Sequence, residues 1–498
     1  MSGVEQEPIR WYGNWFRQKT AGLFRGISAG GTWLLLGGML VSMFALMANP
    51  LSGLVVVLIT IVALLLLMWR DRHHMNVLDK IGERLVFWNQ KSKGLTAYRA
   101  GLISKIPHGH AQLPGMLAQS QLFEFRDSYG DPFAAIYYRT TAQYTLVFMS
   151  QPQGESDVDQ EQRNQWVANW GQWIAERSNE LGAEQITATV ETAAESGIRA
   201  RAEVERRLDP NAAPFSRAVM RESVAGAKTP RITSYVTVTF AAVPRPGAAA
   251  RPMDEMAVFL STRVRALAAQ LSQTGAGPVR PCTPADLTEL ARVAYEPATA
   301  EFFDQARSEN EPYQLQWDEA GPTAHQADWD KFFHDGAVSR TWTMTQPPRA
   351  AVQETSLRVL LNPHPELTRK RVTMIYRPME AQEGARTVDK QVNEATAERG
   401  MQKRANARMN ASHSAMQRTA DEEANGAAMV PFGMIVTATT ADLDNWSALD
   451  YAIESLSAQA RILLRPAYGT QAAGFAAGLP LGIVPAQHSQ LTGVMRRL

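Results

Sequence analysis

The sequence predicts an α+β protein: an amino-terminal two-helix transmembrane hairpin followed by two ferredoxin-like α/β cytoplasmic lobes. Three observations carry that prediction. Residues 26–69 contain no Asp, Glu, Lys, Arg or His. Roughly 430 residues follow, enough for two or three domains with proper cores. Within them, short alternating segments and amphipathic helical patterns interleave irregularly, with hairpin turns in the first lobe. That order favours α+β lobes over one doubly wound parallel sheet.

The uncharged run is too long for one membrane crossing, which takes about 20 apolar residues, and suits two. Asn49-Pro50 lies near its middle, and proline biases the residue before it away from helix. The prediction is therefore a helix over 29–48, a tight turn, and a helix over 51–69. The second is rich in Leu, Ile and Val, whose insertion energies sum to on the order of −5 kcal/mol. Arg10, Arg17, Lys19 and Arg25 precede the pair, Arg70, Arg72 and Lys80 follow it, and the turn is uncharged. Flanking lysine and arginine stay on the cytoplasmic side. The expectation is a multi-pass cell-membrane protein with both termini and the large region cytoplasmic. Gly30, Gly31, Gly37, Gly38 and Ser42 let helices approach closely, either within the hairpin or against a partner.

Fifty basic residues balance 49 acidic ones, for a formal net charge of +1. No clustered basic face marks a nucleic-acid surface, so no direct nucleic-acid binding is predicted. The single cysteine, Cys282, cannot form an internal disulfide, in keeping with a reducing compartment.

The domain plan is a basic leader over 1–28, the hairpin over 29–69, a first lobe over 70–275, a second over 283–482, and a tail over 483–498. In the first lobe, residues 75–99 read as a helix. Strands follow over 121–127, 133–139 and 143–149, the first two joined by Tyr129-Gly130-Asp131-Pro132 turn chemistry. Residues 158–181 form an amphipathic helix with Trp166, Trp170 and Trp173 on one face, a core stripe or a stacking surface. Strands over 184–191 and 231–240 bracket helices over 199–208 and 215–222, and a helix spans 253–273. The Gly- and Pro-rich segment 274–284 is the boundary.

In the second lobe Thr283 caps a helix running to about Tyr295. Residues 317–342 read as irregular and aromatic. Strands are predicted over 338–345, 371–377, 429–439 and 461–465, with helices over 351–361 and 442–458. The polar stretch 380–426 has too narrow an apolar stripe to be buried all round. It reads as a solvated helical arm or a docking arm for a neighbouring subunit. The tail segment 468–482 is small and apolar, suited to a partner's surface or to this chain's own second lobe.

No catalytic, cofactor-binding or metal site is predicted. A phosphate-cradling loop needs GxxxxGK[ST], and no Gly-Lys dipeptide occurs. Gly226-Ala227-Lys228-Thr229 lacks the necessary glycines. GxSxG, HExxH and kinase signatures are missing too. His108 and His110, spaced i, i+2 beside glycine and proline, lack further ligands. His334-Asp335, following Asp328, Trp329 and Asp330, can be drawn as an acid–base pair or as a hydrogen-bonded loop.

Several stretches resemble an actinobacterial family of membrane proteins encoded with conjugative type IV secretion genes. They are RWYGNW (10–15), KIPHGHAQLPG (105–115), VDQEQRNQWVANWGQW (158–173), WDEAGPTAHQADWDKFFHDGAVSRTWTM (317–344), PHPELTRKRVTMIYRP (363–378) and YGTQAAGFAAGLPLG (468–482). The chain also resembles a VirB-type membrane-hairpin subunit joined to the non-catalytic amino-terminal domain of the secretion ATPase, with FAAGLP (475–480) near that junction and the ATPase domain missing. The resemblance implies a non-enzymatic inner-membrane scaffold that anchors or organises a separate motor ATPase. Implied partners are the bilayer, that motor and other channel subunits, in an oligomer within a larger complex. A membrane component of a type VII secretion system, similar to EccE, and a membrane-tethered enzyme of unrecognised type are the alternatives.

Overall fold

A computed structural model describes residues 12–13 and 29–488, except 69–70, 72, 74, 102–103, 105–109, 153, 155–157, 196, 226–229, 244–246, 310, 312, 349–350, 401–413, 415–416, 418, 421–427 and 445. Helices Ala29–Ala48 and Pro50–Met68 pair with each other. Asn49 caps the turn, its Oδ1 accepting from Leu51 N at 3.0 Å. The helices approach where Gly38 faces Thr60 and Gly53 faces Leu46; a side chain on either glycine has no room. Gly37 faces open space.

The helical pair differs from the membrane expectation. Among the described residues, no helix is long and apolar enough to cross a membrane. The expected transmembrane hairpin, and the multi-pass membrane location built on it, do not hold against that finding. Arg10, Arg17, Lys19, Arg25, Arg70 and Arg72, on which orientation rested, lie outside the described residues.

The second correction concerns the lobes. Among the described residues, thirteen strands form one antiparallel sheet rather than two ferredoxin-like units. They are β1 (Ala97–Arg99), β2 (Ser120–Arg126), β3 (Pro132–Tyr138), β4 (Gln143–Ser150), β5 (Ala183–Ala193), β6 (Arg231–Ala241), β7 (Val279–Pro281), β8 (Ala324–Ala327), β9 (Phe332–His334), β10 (Ala337–Gln346), β11 (Arg369–Tyr376), β12 (Phe432–Thr440) and β13 (Leu463–Pro466). Their spatial order is β1-β8-β9-β10-β12-β11-β5-β6-β4-β3-β2, with β13 beside β10 and β7 beside β4. The two halves fuse where β5 pairs with β11 from Ile186↔Tyr376 to Ala193↔Arg369. A central strand needs partners on both sides for its backbone groups, and this pairing supplies them for both β5 and β11.

The expected boundary over 274–284 is stitched into the first half. Within it β7 pairs with β4, and Cys282 donates to Val147 O while accepting from Ala134 N, both at 2.8 Å. Thr283 caps helix Pro284–Tyr295, its Oγ1 accepting from Asp286 N and its own N–H donating to Asp286. The helix expected over 253–273 is two, Met253–Ser261 and Val264–Leu271, ending in a tight turn with Gly275 at φ +82°. Helix Thr299–Ser308 and strands β8 and β9 fall where no regular element was expected.

One face of the sheet is apolar. In the first half Phe133, Leu146, Phe148, Ile186, Val238 and Phe240 pack under helices Gln160–Ser178, Met253–Ser261 and Val264–Leu271. In the second, Trp342, Val372, Val436 and Ala438 pack under helix Ser447–Gln459. Trp170 and Trp173 belong to this core side, stacked on each other at 5.5 Å with Trp170 edge-on to Tyr376, while Trp166 lies against Gly275. The opposite, inner face is different and positions the candidate site.

Candidate functional site: a hydroxyl-lined inner face

Strand alternation and the register place Thr145, Thr239, Thr237, Thr187, Thr189, Thr373, Thr437, Thr341, Ser339 and Thr439 on the inner face. They form cross-strand pairs: Thr145–Thr239 at 2.9 Å, Thr187–Thr237 at 2.7 Å, Thr189–Thr373 at 3.1 Å, Thr341–Thr437 at 3.0 Å and Ser339–Thr439 at 2.7 Å. All ten are essentially buried, so each hydroxyl needs an acceptor.

The C-terminal segment supplies acceptors for two of the five pairs. After β13 the chain turns through Gly469 at φ +71°, forms helix Gln471–Ala477, and crosses the inner face as an irregular strap. Thr373 donates to Gly478 O at 2.7 Å and Thr239 to Gly482 O at 2.7 Å. Tyr138 OH reaches Leu481 O at 2.6 Å and Gln185 Nε2 reaches Ile483 O at 2.7 Å. These bonds fix two directions: Thr189 donates to Thr373, and Thr145 to Thr239, because each acceptor's proton is already spent. Gln471 accepts from Thr341 N at 2.8 Å and donates to Thr341 O at 3.2 Å. Burial leaves the Tyr138 phenol no favourable ionised form and raises its pKa.

Gly474, Gly478 and Gly482 recur every four residues because the strap lies so close. A Cβ at Gly474 meets Thr341 at 2.9 Å, one at Gly478 meets Ile435 at 3.2 Å, and one at Gly482 collides with Thr145 and Thr239. The strap spans β3–β6 of the first half and β10–β12 of the second. It is buried, with Phe475, Leu479, Leu481 and Ile483 in the core. Segment 468–482 is therefore internal, and it clamps both halves rather than the second alone.

Polar chemistry continues beside Phe475. Glu191 on β5 receives Arg369 Nη1 at 2.5 Å and Arg371 Nε at 2.7 Å from β11. Burial alone pushes the Glu191 carboxyl up, yet the two guanidiniums outweigh it and hold the group below its usual range. His334 is 2% exposed. Its Nδ1–H donates to Tyr295 O, and its Nε2 accepts from Ser339 Oγ at 2.7 Å. Ser339 Oγ then accepts from Thr439. Burial drives His334 down to about 4, so the ring stays neutral. A Ser–His pair sealed in this way, with Phe332 and Phe475 on its ring faces, fixes three elements together and meets no solvent.

Asp335 does not pair with His334. It sits at φ +30° and accepts from Thr323 N and Ala324 N at 2.8 and 2.9 Å, closing the loop before β8. Trp329 stacks on Tyr468 and meets Phe87 edge-on, and Asp330 lies 3.7 Å from Arg340. The hydrogen-bonded loop is the arrangement observed. His110 Nδ1 lies 2.5 Å from Asp318; His108 and residues 226–229 lie outside the described residues. Among the described residues no group of three or more His, Cys, Asp or Glu side chains is arranged to hold a metal. A cavity of about 220 Å³ between His73, Trp342 and helix Ser447–Gln459 is mainly apolar, with Glu454 and Ser457 on its wall.

Comparison with known proteins adds one match. A family model described as a domain of unknown function, DUF8461, covers residues 19–79, the helical pair and its flanks. No curated protein matches the chain.

Proposed function

We propose that the chain is a non-enzymatic assembly protein, a platform that holds partner proteins through projecting helical elements. The observation that carries this reading is the filled inner face. Hydroxyl and amide groups converge there, where a ligand cleft would be expected, and the chain's own strap accepts the hydrogen bonds of Thr373, Thr239, Tyr138 and Gln185.

Outward features support the same reading. Helix Pro214–Ala225 has no buried residue and exposes Phe215, Val219 and Met220. It is braced on helix Ile198–Arg207 by Arg221, whose Nε and Nη2 reach Glu205 at 2.6 and 3.0 Å. Apolar residues at such spacing on an exposed helix suit a partner's groove. Helix Ala381–Gly400 is a second arm, rooted by buried Val388; most of the polar stretch beyond it lies outside the described residues.

The partner class comes from the sequence resemblance: a separate secretion motor ATPase, with other channel subunits in a larger complex. Co-purification tests it. The tagged full chain, in mild detergent from its native host, is expected to recover a secretion ATPase. A Phe215→Ser/Val219→Ser variant is expected to recover less while keeping its fold. No secretion ATPase recovered with intact, monodisperse protein would refute the assignment. Saturable ATP binding, abolished by a point substitution in this chain, would favour an enzyme instead.

A further inference from the structure

The sheet ends unequally. At one end β1 has only three residues. At the other, β2 pairs with β3 over all seven of its residues, and among the described residues no strand pairs with its outer side. None of the seven is buried, whereas most of β3 is.

The direction of the unpaired groups follows from two flanking bonds. Asp127 N donates to Asp131 O at 2.9 Å, and Arg139 N to Gln119 O at 3.5 Å. Odd-numbered residues of β2 therefore turn their N–H and C=O toward β3. Alternation in an antiparallel ladder turns those of Ser120, Leu122, Glu124 and Arg126 outward. Glu124 and Arg126 are exposed on one face of the strand, with opposite charges two residues apart. Among the described residues Arg126 reaches only Gly130 O, at 2.9 Å, and Glu124 has no hydrogen bond or ion pair.

We propose that β2 is a homodimerisation edge, on which a second copy of this chain pairs antiparallel about a twofold axis at Phe125. Charge and symmetry select both occupant and register. With Phe125 opposite Phe125, each Glu124 stands directly across from the other copy's Arg126. Both residues face outward, so both pairs exchange backbone hydrogen bonds. Centring on Glu124 sets two carboxylates opposite each other. Centring on Phe123 sets Glu124 against Leu122 and Arg126 against Ser120, leaving all four charges unmatched. In this register residues 124–126 of the two copies form the ladder, because the hairpin turn begins at Asp127; pairing the edge with its own copy closes at two chains, whereas head-to-tail pairing would propagate.

Sedimentation equilibrium of the full chain, in a non-ionic detergent that covers the apolar helical pair, is the test. Glu124→Arg or Arg126→Glu alone places like charges opposite twice and should weaken the dimer about tenfold. The double variant Glu124→Arg/Arg126→Glu restores opposite pairs and should return to within about threefold of the parent. Both positions are exposed, so folding is not at stake. In parallel, Phe125→Cys should form an intermolecular disulfide on mild oxidation, since Cys282 is buried. Gln121→Cys should not, because its two copies stand about 27 Å apart in this register. A monomer at every concentration, a double variant as weak as the singles, or equal cross-linking at positions 121 and 125 would overturn the proposal.

Discussion

Gly482→Ala probes the strap where conformation and contact both resist a side chain. Gly482 has φ +73°, and a Cβ there collides with Thr145 and Thr239. The left-handed conformation costs an alanine about 1–2 kcal/mol, and forcing extra volume into a packed site costs about 1–3 kcal/mol. The expected loss is about 2–5 kcal/mol. Two controls separate the contributions. Gly247 has φ +84° with nothing within 4 Å, so Gly247→Ala reads the conformational part alone, about 1–2 kcal/mol. Gly474 has no positive φ but faces Thr341 at 2.9 Å, so Gly474→Ala reads the contact, about 1–3 kcal/mol, less the roughly 1 kcal/mol by which helix Gln471–Ala477 favours alanine over glycine. Urea unfolding followed by circular dichroism, in one detergent buffer, gives the ordering Gly482→Ala above either control. If Gly482→Ala costs no more than Gly247→Ala, the strap does not press on the threonine face and the reasoning fails.

Three further outcomes follow from the same geometry. His334 is held near 4 against an ordinary value of 6.5; its neutral ring adds stability above pH 6.5 that is lost as pH falls toward 4. The full loss is about 3 kcal/mol, seen as a falling melting temperature across that window and a shallower fall in His334→Gln. Glu191→Gln leaves Arg369 and Arg371 buried without their carboxylate and should cost about 3–5 kcal/mol by urea titration; a loss under 1 kcal/mol would contradict the observed pairing. Deleting residues 29–68 should leave the strand signal in far-ultraviolet circular dichroism intact, because the helical pair's principal contact outside itself is helix Val77–Ser92. Loss of the sheet on deletion would show that the pair is part of the core.

Much of the secondary structure was legible because it obeys local rules. The apolar run broken by Asn49-Pro50 gives helices Ala29–Ala48 and Pro50–Met68, and the Tyr129–Pro132 turn gives the β2–β3 hairpin. The single sheet was not legible, for a reason visible in β5, β11 and β12. Their inner faces carry Thr187, Thr189, Thr373 and Thr437, so each strand alternates as though one side met water. Those hydroxyls are satisfied by one another and by a segment about a hundred residues or more distant for β5 and β11, a relation that periodicity cannot express. Gly474, Gly478 and Gly482 were the available signal: a four-residue glycine repeat in an apolar segment marks close backbone approach. It does not say whether the neighbour is another protein or this chain's own sheet. Likewise His334-Asp335 are adjacent in sequence, yet the side chains serve different partners, Tyr295 and Ser339 for one and the Thr323–Ala324 backbone for the other.

The reading as an assembly protein depends most on the inner face being a filled core. Hydrogen–deuterium exchange by mass spectrometry tests that directly. Backbone amides of residues 474–484 should exchange as slowly as those of β4 and β6, while helix Pro214–Ala225, which buries no side chain, exchanges fast. Rapid exchange of 474–484, alongside protected β4 and β6, would mean that the strap leaves the threonine face open to a ligand and would contradict the account.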